Sequence, residues 1–184
     1  MTVMLPYHHV NVLTGTKTAR IVEDPADCAH LIKRSKRPLL VVGPRTLTMS
    51  LGGKPLIEYA VAIANALEIP ICATAHTNRK LLEMGAEPVS RYDIIEIINH
   101  LKDHAWHGVK KEGNHDLVIF LGIRTDLGEQ ALSTLKHYAP HLKTMTLCKY
   151  YYPHASYSLP NFRKDEQWKE FLEEVVISTK KKEA

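Results

Sequence analysis

The run Arg37-Pro-Leu-Leu-Val-Val-Gly43 constrains this chain more than any other stretch, because four consecutive apolar residues follow one another with no polar alternation and end at a glycine. A strand with one wet face alternates, so an unbroken apolar run is what a strand covered on both faces requires. A short buried helix has the same composition, and length and flanks must arbitrate. Pro38 and Gly43 leave four core residues between them, two β-branched, and a basic, helix-like segment ends just ahead. The run reads as a buried parallel strand. Residues 69–74 and 116–122 repeat the pattern, with helical spacing between them. Strands alternating with helices give an α/β fold with a mostly parallel sheet.

The 184 residues form one domain in this reading, with an irregular arm or short strand over residues 1–22 and a basic tail over 179–184. The net charge of +4 is local, since Lys180, Lys181 and Lys182 supply three of the positive charges. No basic stripe interleaved with aromatics is present, so nucleic acid is not an expected partner. The first residues, 1–9, lack a secretory pattern and no apolar run approaches the roughly 20 residues that span a bilayer, so a cytoplasmic location without membrane contact is expected. Cys28, Cys72 and Cys148 are odd in number and scattered, which argues against a disulfide framework. Iron–sulfur clusters commonly take four thiolates, so no metal cluster of its own is expected.

Along the chain, Asp24 can cap and Pro25 suits the first turn of a helix over residues 24–36. Leu56, Tyr59, Ala60, Ile63 and Leu67 define a second helix over 55–67. A short helix is expected over 78–84. Ser90 is read as the cap of a longer one whose stripe is Ile94, Ile97, Ile98, Leu101 and Ala105, with Asp93 as a capping-box analogue. Thr125 or Asp126 can cap a helix that turns Leu127, Ala131, Leu132, Leu135 and Tyr138 inward, before a fourth strand candidate at 142–147. Trp168, Phe171, Leu172, Val175 and Val176 mark an amphipathic closing helix over 165–178.

Candidate site residues gather at the carboxyl ends of the strands, the edge where open α/β sheets bind ligands. Gly43, Pro44, Thr74 and Gly122 should meet there. Arg124 either meets an anionic ligand or makes a structural salt bridge. The loop over 43–55 lacks Gly-x-Gly-x-x-Gly, and Gly53-Lys54 is followed by Pro55 where a P-loop needs Ser or Thr, so its glycines either cradle phosphate or simply connect. His76 is either a ligand contact or a solvated loop residue. His100, His104 and His107 recur at helical spacing, a pattern that can hold a metal but here lies well away from the apolar stripe, favouring a solvated face. Tyr150, Tyr151, Tyr152 and Tyr157 share a segment with Pro153 and Pro160, which suggests a packed loop carrying a recognition surface; Tyr151, Tyr152 and Tyr157 are its candidate partner contacts. No catalytic residue stands out.

The order Arg37-Pro-Leu-Leu-Val-Val-Gly, helix, Ile69-Pro-Ile-Cys-Ala-Thr, then Asp116-Leu-Val-Ile-Phe-Leu-Gly-Ile-Arg resembles the DHS-like NAD/FAD-binding fold, a Rossmann-like three-layer sandwich. The opening Lys36-Arg-Pro-Leu-Leu-Val-Val-Gly43 and the ending Lys149-Tyr-Tyr-Tyr-Pro-His-Ala-Ser-Tyr-Ser-Leu-Pro-Asn161 resemble the epsilon-subunit family of the archaeal CO dehydrogenase/acetyl-CoA decarbonylase/synthase complex. That resemblance covers about residues 17–175. It implies an accessory, non-catalytic chain beside the metal-bearing alpha subunit, in an alpha2-epsilon2 component, stabilising it or passing electrons to FAD. FAD is accordingly the cofactor expectation, and self-association of the isolated chain is a further one. Cys148 stands where related cofactor domains often place an acidic residue. The alternative is an independent nucleotide-binding protein or enzyme of the same fold; a sirtuin-like deacylase lacks its zinc cysteines here, and a thiamine enzyme needs far more chain.

Overall fold

The computed structural model describes residues 3–4 and 18–180, so most of the expected arm and the last four residues lie outside it. In chain order the elements are β1 (Val3–Met4), β2 (Arg20–Ile21), α1 (Pro25–Arg34), β3 (Pro38–Val42), α2 (Arg45–Thr48), β4 (Ser50–Leu51), β5 (Lys54–Pro55), α3 (Leu56–Leu67) and β6 (Ile71–Ala73). There follow α4 (Ala75–Glu83), β7 (Ser90–Arg91), α5 (Ile94–Lys102), β8 (Leu117–Leu121), α6 (Thr125–Tyr138), β9 (Lys143–Thr146), β10 (Tyr157–Ser158), β11 (Asn161–Phe162) and α7 (Asp165–Lys180).

Seven strands form one parallel sheet in the order β2-β10-β9-β8-β3-β6-β7. Residues of the central strands point alternately to two cores. Leu40 and Val42 of β3, with Leu117, Ile119 and Leu121 of β8, pack under α1, α3 and α7; Leu39, Val41, Val118 and Phe120 pack under α5 and α6. This is the three-layer sandwich, and it explains why both strands read as continuous apolar runs. At the amino edge the Asp116 carboxylate accepts the backbone N–H groups of Lys36 (2.7 Å) and Arg37 (2.8 Å), tying the starts of β3 and β8 together.

Several local readings need correction. The Asp24 carboxylate accepts the Ala26 N–H at 2.8 Å, the expected cap of α1. Asp93, rather than Ser90, caps α5 by accepting the Glu96 N–H at 2.8 Å, while Ser90 belongs to β7. No side chain caps α6: Thr125 and Asp126 are already its first residues. Tyr138 lies outside the core at 68% exposure. The short helix at 78–84 starts earlier, as α4 at Ala75, so His76 is helical and exposed. Gly52 and Gly53, with φ of 57° and 80°, form the two-residue turn of the β4–β5 hairpin; the sequence signal was the Gly-Gly pair itself.

Candidate functional site

The sheet order reverses between β3 and β8, since β6 and β7 continue to one side of β3 and β8, β9 and β10 to the other. The carboxyl ends at this switch point are Gly43 and Gly122. They close on each other: the Gly43 N–H donates to the Leu121 carbonyl at 2.8 Å and the Arg45 N–H to the Gly122 carbonyl at 2.9 Å. Thr46, buried, donates its hydroxyl to the Gly43 carbonyl at 2.7 Å. The space a side chain would take at either glycine is filled by protein: a Cβ at Gly43 would meet the Gly122 carbonyl, and one at Gly122 would meet the Thr46 methyl, each at 2.4 Å.

Thr74 arrives beside them, as the sequence implied, but its hydroxyl donates to the Val42 carbonyl at 3.1 Å, and the buried Thr77 hydroxyl reaches the same oxygen at 3.2 Å. Pro44 is exposed and begins the turn into α2. Arg124 realises the salt-bridge alternative. It is exposed and pairs with Asp126 two residues on. That guanidinium, as the first cause, holds the Asp126 carboxyl at about 2, and the pair raises Arg124 in turn.

Beside the switch point is a cavity of about 30 Å³ whose lining includes Arg45, Gly122, Thr125, Cys148, Lys149 and Tyr150. On the usual measure that holds one or two waters. Sequence reasoning missed Arg45 and Lys149 as site residues, although each lies three positions past the end of a sheet strand, β3 and β9 respectively. The Lys149 side chain is 15% exposed, pairs with Asp165 at 2.8 Å, and sits 5.5 Å from the centre of the Tyr150 ring. Burial pushes the Cys148 thiol up, opposed by the Gly122 backbone and the Tyr152 side chain. Trp168 closes the floor, its indole N–H donating to the Leu147 carbonyl at 2.9 Å.

The tyrosine segment folds back onto the domain. Tyr152 is 3% exposed with its hydroxyl 3.4 Å from that of Thr125, and burial raises its phenol. Tyr151 is half-buried and donates to the Ala19 carbonyl at 2.9 Å. Tyr157, also half-buried, lies in β10. Tyr150 is the one of the four that stands out, at 53% exposure. His154 pairs with Glu129 across the same segment, and burial, only partly offset by His154, raises the Glu129 carboxyl.

The three histidines do not share a helix. α5 ends at Lys102, where the Asp103 carboxylate captures the Ala105 N–H at 2.9 Å, leaving Ala105 outside the stripe. His100 stacks on Trp106 at 5.2 Å, and His104 lies against His141 at 4.1 Å between ring centres. Among the described residues no three or more His, Cys, Asp or Glu side chains are grouped to hold a metal ion. Cys28, Cys72 and Cys148 are all buried and free, and burial raises Cys28 to about 12. No helix among the described residues is long and apolar enough to cross a membrane.

Comparison with known proteins gives a consistent result. A family model described as CO dehydrogenase beta subunit/acetyl-CoA synthase epsilon subunit matches residues 2–176. The chain is 42% identical over 164 residues to the acetyl-CoA decarbonylase/synthase complex subunit epsilon of Methanothermobacter thermautotrophicus, covering 89% of this chain and 90% of that one. It is 42% identical over 172 residues to the subunit of the same name from Methanopyrus kandleri, covering 93% and 96%. Subunit epsilon 1 of Archaeoglobus fulgidus is 40% identical over 154 residues, 83% of this chain and 80% of its own length.

Proposed function

We propose, because this chain belongs to the CO dehydrogenase beta subunit/acetyl-CoA synthase epsilon subunit family, that it is an accessory subunit of an acetyl-CoA decarbonylase/synthase complex, docked on the alpha subunit that oxidises CO and stabilising it. The observation that carries this reading is the end-to-end match. At 93% of this chain and 96% of the Methanopyrus kandleri relative, the likeness spans a whole epsilon chain rather than a cofactor domain shared with unrelated enzymes. Co-expression with an alpha subunit tests it. The tagged chain should retain alpha through purification, and the alpha component should lose CO-dependent dye reduction more slowly on heating with the chain bound than without it. CO-dependent dye reduction by this chain alone, or failure to retain alpha, would sink the proposal.

The finer reading, assistance in electron transfer to FAD, rests on the same family likeness. The residues as arranged do not fit a dinucleotide: the switch point is closed by protein atoms, Arg124 is paired with Asp126, and the adjoining cavity measures about 30 Å³. What favours an anion nearby is Arg45, exposed on α2 and lining the same small cavity, where Lys149 is already paired with Asp165. Flavin binding on this reading requires the segment carrying Tyr150 and Tyr152 to lift away, as docking of a partner would allow. Calorimetric titration of FAD into the chain alone and into the assembled component separates the outcomes. Saturable binding to the assembly keeps the reading, and absence of binding to both removes it.

A further inference from the structure

The crossover from β9 to β10 is built unlike the others of the sheet. Among the described residues, every other connection between its successive strands carries a helix: α1, then α2 and α3, then α4, α5 and α6 in turn. Parallel neighbours are ordinarily joined that way. Residues 147–156 instead run as an irregular segment over the carboxyl edge, the place where open α/β sheets hold ligands. The chain thus covers its own switch point. Tyr152, 3% exposed, fills the space there, lining the cavity of about 30 Å³ together with Gly122 and Cys148.

The segment is held differently on its two sides. Toward β2 it is stitched by main chain: the Ala19 N–H donates to the Pro153 carbonyl and the Arg20 N–H to the Ser156 carbonyl, each at 3.0 Å. Toward α6 the contacts are those of side chains. The Tyr152 ring lies against Gly128, where a Cβ would come within 3.1 Å of it, so the missing side chain leaves the room that the ring takes. Next to that contact on both elements, Glu129 of α6 pairs with Nδ1 of His154, the two side chains 23% and 22% exposed. Lys136 of the same helix reaches the Pro153 carbonyl at 3.5 Å. Among the described residues, the titratable groups that act on Glu129 are His154, Lys136, Tyr151 and Tyr152. A partly buried carboxylate is costly to leave without its partner, so the pair closes the segment onto α6 beside the buried ring. Removing either member frees that side, while the main-chain bonds toward β2 keep the segment attached.

We propose that the segment 147–156 is an autoinhibitory cover of the switch point, with Tyr152 as its plug and the Glu129–His154 pair as the latch whose release uncovers Cys148 and the Gly122 strand end. This deepens the flavin reading by naming the contact that yields before a ligand reaches Arg45, and it rests on that reading only for what enters. The test reads thiol labelling of the full chain, with the labelled position found by mass spectrometry. Glu129→Ala and His154→Ala should each speed labelling of Cys148 by about tenfold or more over the parent, and the double variant should add little to the faster single one. Cys28 packs in the opposite core and is the internal control. It should stay unlabelled, because opening of the cover is local. Variants whose Cys148 labels no faster than in the parent overturn the proposal. Labelling of Cys28 together with Cys148 overturns it too, since the pair then supports the whole fold rather than the cover. Effects that multiply in the double variant overturn the pairing of the two residues as one latch. Titrating FAD into the same variants separates the two readings: a Cys148 that opens without saturable FAD binding leaves the latch standing and counts against flavin alone.

Discussion

A methyl group placed on Gly43 would lie 2.4 Å from the carbonyl oxygen of Gly122. The two residues that look like ligand-approach glycines in the sequence are what lets the ends of β3 and β8 touch. Gly43→Ala should therefore destabilise by about 1 to 3 kcal/mol through overpacking alone. Gly122→Ala should cost more, because its φ of 73° adds a left-handed strain of about 1 to 2 kcal/mol to the clash with Thr46. Urea unfolding with unchanged slope and a lowered midpoint is the expected result. A neutral Gly43→Ala would mean that the edge has room, and with it room for a ligand.

The buried strands were legible because composition alone decides them: Leu39 to Val42, and the run from Leu117 to Leu121, have no polar face to turn outward. The start of α1 was legible for a similar reason, since Asp24 and Pro25 carry their own cap and first turn. β7 and β10 were not. Each holds two residues, and a neighbouring strand makes them strands, with the Ser158 hydroxyl set 3.0 Å from that of Thr146. The end of α5 turned on one carboxylate, Asp103, that outcompeted a good helical period. At the site, the strand ends were placed correctly, but which side chains face the crevice depends on the turn after each strand. Arg124 went to its neighbour Asp126, and a one-turn helix put Arg45 on the cavity instead.

All three thiols should be silent in the native protein. Cys28, Cys72 and Cys148 are buried and burial raises each, so the reactive thiolate is scarce at neutral pH and out of reach of a reagent. Thiol titration should find none in native buffer and three after unfolding in urea. Rapid labelling of Cys148 in the folded chain would show that the switch-point cavity opens in solution.

Stability should fall on acidification because His115 is buried in its neutral form. Its Nδ1–H donates to the Arg37 carbonyl at 2.9 Å, and its Nε2 accepts the Val109 N–H at 3.3 Å, so a second ring proton would face a donor. Burial, as the leading cause, places its folded pKa below the ordinary histidine value of about 6.5. The unfolded chain then takes up the proton first. The stabilisation is present above about pH 6.5 and declines as pH falls toward the folded value. Urea midpoints at about pH 7.5 and pH 5 should show the loss, and His115→Gln should remove part of that dependence. A ring titrating at or above the ordinary value by NMR would contradict the assignment.

The tyrosine segment separates folding from docking residue by residue. Tyr152 is buried, its backbone N–H donating to the Ser158 hydroxyl at 2.9 Å, so Tyr152→Ala should cost about 3 to 5 kcal/mol as other large core truncations do. Tyr152→Phe removes a long 3.4 Å contact to Thr125 and the hydroxyl's bond with the buried Cys148 thiol, and should cost about 1 kcal/mol, well below the alanine variant. Tyr151→Phe deletes the 2.9 Å bond to Ala19, half-buried, for about 1 kcal/mol. Lost assembly in an alanine variant at Tyr151 or Tyr152 would thus mix unfolding with a lost contact. Tyr150 is free of that ambiguity: half its surface is exposed and it covers Lys149 from outside. Tyr150→Ala should leave the urea midpoint within about 0.5 kcal/mol of the parent, as surface changes do. If the segment contacts a partner, the same substitution should weaken assembly by 1 to 2 kcal/mol or about tenfold, an anchor-sized effect. A Tyr150→Ala chain that is stable and assembles with parental affinity would move the docking surface off this segment and leave its tyrosines a purely structural role.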